Sequence, residues 1–503
     1  MAANAIDTPA PPRARATRFA ERTALAGLFL YAIFAPHSIA ASWFALSLLI
    51  AGWLARTIIT RQTGIRRTAL DLPLWLFFAW SVLSAAFSAE PRISLLKLIS
   101  VSTFLIYYLV QAVITRRTAV LLASLLIMSG VAGVVWSVLD VVRGRGVIIE
   151  TIAPDSPLRG ATQLQTGDCI WRVNEQRINS MAELTDAIRR APVGMPLRLS
   201  VITHGEHVEW TGPAVTDAMK TSTPPAGIHG TRRTHRFRAS GWTRHYETFA
   251  ELLQILAQLA LGFALAHLQR RDRRSSHTRL IIALYAAAFV LLAIGIALTA
   301  MRTVLVAFVV GACVLLWRGV TSTRARIAVA CIIVLVCALG AFAVWRTRAS
   351  GALHLQDASA QLRFEVARVA LTRIPLHPIF GHGMDAVHRH WHEWGFPGTD
   401  MLHAHSTPIQ LAFDRGIPAL ILWLWLILTF WLMTTRAERI WRTATDAAAH
   451  GLLLGATGAL AGFFASSLVN YNFGDAEVTL MLWWLMGAVV RVTTDEEVRI
   501  KRH

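Results

Sequence analysis

Residues 280–317 read LIIALYAAAFVLLAIGIALTAMRTVLVAFVVGACVLLW, and one of these positions, Arg302, is charged. About twenty apolar residues cross a bilayer core, so the stretch is two spans back to back with a guanidinium at the seam. Such runs recur over most of the chain, at roughly 23–36, 39–57, 71–87, 95–113, 119–142, 248–268, 280–300, 303–317, 327–345, 416–434, 450–469 and 475–491. The expected fold is an all-α polytopic membrane protein of about twelve transmembrane helices. With 54% of 503 residues hydrophobic and 16% charged, an ordinary soluble enzyme is excluded.

The net charge of +19 is carried almost wholly by arginine, with lysine at Lys97, Lys220 and Lys501 alone. Most of these arginines lie in short loops between apolar runs, which is a topology signal and not a nucleic-acid footprint; no nucleic-acid partner is expected. With the N-terminus in the cytoplasm, every second loop is basic: Arg61, Arg66 and Arg67; Arg116 and Arg117; Arg270 to Arg274; Arg318, Arg324 and Arg326; Arg436, Arg439 and Arg442. Arg13, Arg15, Arg18 and Arg22 before the first run have the form of a signal peptide, with Ser38-Ile39-Ala40-Ala41 as its cleavage region. The next run follows at once, so a retained first span is preferred. Cys169, Cys313, Cys331 and Cys337 show no metal spacing and no disulfide framework.

Two long polar segments, 143–247 and 346–415, then fall outside the cytoplasm. The expected division is 1–142 for spans one to five, 146–212 for a small α+β module, 213–247 for a flexible linker, 248–345 for spans six to nine, 346–415 for the catalytic loop, and 416–503 for the last three spans and a cytoplasmic tail. In the module, Val147-Ile148-Ile149 and Leu197 to Ile202 have strand character, and Met181 to Ala191 has helical spacing after a Ser180 cap. Ser156-Pro157, then Gly167-Asp168-Cys169-Ile170, then Val173-Asn174 resemble the PDZ family. The resemblance implies that Gly146-Val147 form a carboxylate-binding loop, where a peptide or protein partner adds a strand to the sheet edge. A folded spacer that binds nothing stands beside that reading.

In the second segment Leu362, Val366, Val369 and Ala370 recur at helical spacing, as in an amphipathic interfacial helix touching membrane lipids, and Arg363, Arg368 and Arg373 lie on its other faces. There follow His377-Pro378-Ile379-Phe380-Gly381-His382-Gly383, whose glycines let backbone approach something closely, and His388, His390, His392, His403 and His405. His392-Glu393 is followed by Phe396 where a zincin has its second histidine, and Asp385, Glu393 and Asp400 form no carboxylate cluster. No metal and no cofactor are expected.

His405-Ser406, nine residues and then Gly416-Ile417, together with Arg302, Arg363 and the glycine turn, resemble the O-antigen ligase and polymerase superfamily. The resemblance covers 22–142 and 248–492 as topology and 297–420 as motif. It implies a multi-pass protein of the bacterial inner membrane that acts at the periplasmic face. The reaction moves a glycan from an undecaprenyl-pyrophosphate carrier to a hydroxyl of lipid A–core or of another glycan. Arg302 and Arg363, with Gly381 and Gly383, would bind the donor, and His405 would be the general base. Ala419 stands where ligases tend to carry Thr, Gly or Tyr, which leaves ligase and polymerase both open. A non-catalytic scaffold with a recruiting module is the rival from another class. A transporter lacks support, because neither an internal repeat nor paired intramembrane carboxylates emerge from the spans.

Overall fold

Each apolar run becomes a helix because in hydrocarbon a lone segment can satisfy its N–H and C=O groups only within itself. The computed structural model describes residues 12–161, 164–203, 206–230, 232–243, 245–270, 275–320, 323–347, 358–398, 403–442 and 446–500. First come α1 (Pro12–Phe34), α2 (Ile39–Thr60), α3 (Asp71–Ala86), α4 (Pro91–Val101), α5 (Leu105–Val113) and α6 (Arg116–Arg143). The module holds β1 (Val147–Ile152), α7 (Pro157–Ala161), β2 (Cys169–Val173), β3 (Gln176–Arg177), α8 (Met181–Arg190), β4 (Pro196–Thr203), β5 (Glu206–Ala214), α9 (Asp217–Thr221) and β6 (Ile228–Gly230). Then follow α10 (Tyr246–Leu268), α11 (Ser276–Leu298), α12 (Arg302–Gly319), α13 (Thr323–Thr347), α14 (Ala358–Arg373), α15 (Ala386–Arg389), α16 (Thr407–Trp441), α17 (Ala447–Ser467) and α18 (Ala476–Ile500).

Among the described residues, nine helical segments are long and apolar enough to cross a membrane, with α4 and α5 counted as one, and α3 is a shorter apolar helix. α1 and α13 cover the two remaining runs. α10 lies at the centre, its whole apolar window buried. It crosses α17 backbone to backbone, since a Cβ on Gly262 would stand 2.3 Å from the Gly455 nitrogen. Such close approach replaces the hydrophobic drive that lipid removes from helix association. α13 lies outermost, with Ile327, Val334 and Leu335 exposed as lipid-facing side chains are.

Polar contacts sort the turns onto two faces. On one, Arg66 donates to Thr494 (2.8 Å), Arg116 pairs with Asp446 (3.3 Å) and Arg318 with Glu438 (2.6 Å), so these basic loops share a face. On the other, Ser84 donates to the Phe380 carbonyl (2.7 Å), the Ala239 N–H to Leu298 (3.0 Å) and the Thr407 N–H to Asn470 (3.1 Å). Both long segments and the turns after α3, α11 and α17 therefore meet on this second face.

The module sheet is antiparallel in the order β5-β4-β2-β1-β6, with β3 paired to β2. The segment 213–247 is not the flexible linker its composition suggests. Met219, Ala226 and Ile228 enter the module core beside Val147, Leu184 and Ile188, and β6 pairs with β1. Those apolar residues are too sparse among prolines and threonines to show a period. Gly146 and Val147 consequently lie inside the sheet and not at an open edge. Val147 faces Ile170 on β2, the Ile148 N–H donates to Arg232 (2.7 Å), and a Cβ on Gly146 would stand 2.4 Å from Cys169 Sγ. At the junction with α6, buried Arg145 pairs with Asp140, its guanidinium 4.4 Å from the ring centroid of Phe237 and 5.1 Å from that of Trp171. Thr162 and Gln163, between α7 and β2, lie outside the described residues.

Candidate active site

α16 begins at Thr407, nine residues before the expected start of the tenth span, and breaks at Gly416 (φ 79°, ψ 169°) ahead of Pro418. A break strands carbonyls on one side and an N–H on the other. The loop 377–383 supplies the missing partners: the N–H groups of His382 and Gly383 donate to Phe413 (2.8 Å) and Asp414 (2.9 Å), and Pro378 accepts from Ile417 (2.8 Å). The Trp80 indole donates to the Arg415 carbonyl (2.9 Å). Gly381 and Gly383 are thus where backbone comes close, but what they approach is the chain itself. A Cβ on Gly381 would stand 2.4 Å from the Arg415 nitrogen, and one on Gly383 2.7 Å from Ser94 Oγ. This packing leaves them as supports of the site, and a donor-binding role finds no open surface at either.

The break turns the first two turns of α16 toward the loop that carries His403 and His405. The Ala404 N–H donates to Gln410 (2.6 Å), and the His405 N–H to His403 Nδ1 (3.2 Å), which holds His405 at a left-handed φ of 51°. The two rings meet edge to face at 4.4 Å, and His403 lies 5.5 Å from the Tyr471 ring. Both ring nitrogens of His405 are shielded and have no hydrogen-bond partner among the described residues. Burial pushes its pKa down to about 3, with His403 and then Arg363 adding to the shift; burial and Arg363 take His403 down to about 4. Both imidazoles are therefore neutral near pH 7, with lone pairs to offer.

Arg363 sits half-buried on α14, whose apolar face packs Val366 and Ala370 on Trp391, Trp394 and Phe413, so the amphipathic helix is docked on the loop's own core and on α16. Its charge reaches His403, His405 and Glu247. Arg302 opens α12 with its side chain exposed, and the neighbouring Thr303 leads to the same cluster. With its amide oriented to accept from Thr303 (3.1 Å) and Ser466 (3.0 Å), Asn470 donates to Glu247 Oε1 (3.0 Å). Thr248 hydrogen-bonds Asp475, and Ser466 donates to buried Glu251 (3.0 Å). Carboxylates at Glu247, Glu251 and Asp475 are thus gathered by α10 and the α17–α18 turn, correcting the expectation that the spans hold no paired carboxylates. Glu247 and Glu251, one helical turn apart at the start of an apolar run, were the available signal.

Two of the other loop histidines, His382 and His390, serve the scaffold. His382 is buried, contacts the Arg373 carbonyl through Nε2 (3.1 Å) and stacks on Phe413 at 4.5 Å. His390 contacts Glu393 (2.6 Å) and Glu90 (2.9 Å), which raise its pKa, tying the loop to the α3–α4 turn. Among the described residues no three His, Cys, Asp or Glu side chains converge as metal ligands; Asp400 lies outside them.

The segment that carries this geometry is matched by a known family. Residues 287–424 match the O-antigen ligase family model. That span holds Arg302, Arg363, the loop 377–383, His405 and the break at Gly416. Residues 130–211 match the PDZ domain model. In the structure, 130–143 belong to α6, and β6, beyond the match, completes the sheet. No curated protein matches the chain. The chain is a multi-pass membrane protein in which a segment matching the O-antigen ligase family model follows one matching the PDZ domain model, and Glu247, Asn470 and Asp475 join the candidate site from outside the first of these matches.

Proposed function

We propose that the protein is a membrane glycosyltransferase of the O-antigen ligase type. It moves a glycan from undecaprenyl pyrophosphate to an acceptor hydroxyl, such as one on lipid A–core, at the periplasmic face of the inner membrane. The observation that carries the reading is His405, a neutral imidazole with neither nitrogen engaged among the described residues, beside the guanidinium of Arg363 on the face opposite the basic loops. As the glycosidic bond breaks, negative charge grows on the pyrophosphate, and Arg363 and Arg302 bind its oxygens while staying charged. One ring nitrogen of His405 takes the proton of the acceptor hydroxyl, whose oxygen attacks the anomeric carbon. In the empty site His405 is a weak base. Burial is the largest cause of that low pKa and Arg363 the smallest, and the negative charge of pyrophosphate bound at Arg363 opposes the latter, so donor binding shifts the His405 pKa upward. Polymerisation onto a second lipid-linked glycan uses the same steps, and the acceptor separates the two activities.

The test is transfer from a lipid-linked donor in proteoliposomes of the full chain. Arg302→Lys and Arg363→Lys keep the charge and lose the planar fork, and each is expected to lower transfer about a hundredfold or more, or ~2–4 kcal/mol. Near-normal transfer in Arg363→Lys would return that residue to a role in anchoring α14. In a deletion strain, loss of all lipid A-linked polymer marks a ligase and single-repeat products mark a polymerase.

A further inference from the structure

A cavity of about 160 Å³ opens beside the break in α16, walled by α3, α4, the start of α2 and the turn 471–474. Arg302, Arg363 and His405 do not line it. Tyr471 and Gln410 do, and they form its boundary with the histidine loop, Tyr471 through His403 and Gln410 through its bond to Ala404.

Arg415 lines the cavity and is only 6% exposed. It donates to Ser81 (3.3 Å), its guanidinium lies 5.3 Å from the Phe77 ring centroid, and its Nε has no partner among the described residues. Among the described residues no carboxylate stands at ion-pair distance from it; Asp414, which shares the cavity lining and lies within reach of the Arg415 charge, accepts from Gln410 (2.8 Å). Lys97, the second cation of the wall, is already held by Asp385 (3.0 Å). A buried guanidinium without a paired anion is unfavourable, and a bound anion relieves it. Of the lining residues Trp43 and Ile99 are exposed at the bundle surface where lipid lies, and Ser100 stands next to Ile99 on α4. A cation set deep behind an apolar rim suits a headgroup that enters sideways from the bilayer.

We propose that this cavity is a second anion site, which takes the phosphate-bearing head of a lipid-anchored acceptor and holds it through Arg415 next to His405. Its assignment to the acceptor rests on the donor reading of Arg302 and Arg363. The test is calorimetric titration of the full chain in detergent with short-chain phosphatidic acid, geranyl pyrophosphate and inorganic phosphate. Arg415→Gln is expected to weaken phosphatidic acid about tenfold or more and to leave geranyl pyrophosphate unchanged. Ser100→Trp, which fills the entrance and keeps the guanidinium, should act alike, and it carries the test should Arg415→Gln not fold. Unchanged phosphatidic acid affinity in Ser100→Trp and in any folded Arg415→Gln overturns the proposal. So does inorganic phosphate binding as tightly as the lipid, since the site would then be one for free anions. Survival of geranyl pyrophosphate binding in both Arg302→Gln and Arg363→Gln would instead sink the donor reading and leave the cavity's anion site standing.

Discussion

Two histidines, two residues apart, differ in what their nitrogens do. His403 Nδ1 accepts the His405 N–H, so His403 holds the backbone, whereas His405 has nothing bound at either nitrogen among the described residues. His403→Gln should therefore retain most transfer, because an amide oxygen can replace that acceptor, and quantified glycolipid product checks it. pH separates the free and loaded enzyme. The base must be neutral, so activity is lost as pH falls through its pKa. The acid limb of kcat/KM, which reports the empty site, should lie far below neutrality, as a pKa of about 3 requires, and the limb of kcat should lie at higher pH once pyrophosphate has offset Arg363. Coincident limbs would show that the donor does not tune His405. Arg302, Arg363 and His405 were singled out in the sequence by the resemblance of 297–420 to the O-antigen ligase and polymerase superfamily. Glu247, Asn470 and Asp475 were not, since Thr248 and Asp475 meet across 227 positions and only the spacing of Glu247 and Glu251 pointed there.

The break in α16 and the loop 377–383 form one unit at the level of elements. Gly416 combines a glycine-only backbone conformation with an approach that would put a Cβ 1.9 Å from the Ile379 carbonyl oxygen. Gly416→Ala should cost about 1–3 kcal/mol from the backbone alone, and more from the clash. The expected result is loss of transfer together with a lowered Tm of the detergent-solubilised protein; an unchanged Tm would mean that the break is not as rigid as its hydrogen bonds indicate. The glycines of the loop announced a close approach in the sequence. The surface they approach did not show, because Gly416-Ile417-Pro418 ahead of an apolar run looks like the start of a span and not the middle of a helix. The seven residues of the loop make sense only against carbonyls more than thirty positions downstream.

For the whole molecule, the alternation of arginines, which follows from insertion and not from packing, set the basic loops apart, and the contacts of Arg66, Arg116 and Arg318 group their loops on one face. The pairing of β6 with β1 and the burial of Arg145 were beyond it, because both depend on residues tens of positions away. They also change what a deletion must remove. Excision of 146–212 strips β1 from β6 and leaves Ile228 and Met219 without a core, so it should lower membrane protein levels, as quantitative immunoblotting can check. Excision of 146–230 removes the sheet entire and should be better tolerated; equal yields from the two deletions would count against β6 as part of the module. The central claim is that this bundle performs metal-independent transfer with His405 as base. It is tested most directly by single-turnover transfer in proteoliposomes of purified wild-type and His405→Gln protein, with and without a zinc chelator and with donor binding measured alongside. The account predicts that His405→Gln binds donor normally and transfers ~10²–10⁴-fold more slowly, while the chelator leaves the wild type unaffected. Chelator inactivation of the wild type as complete as that caused by His405→Gln would contradict it and make the histidines metal ligands.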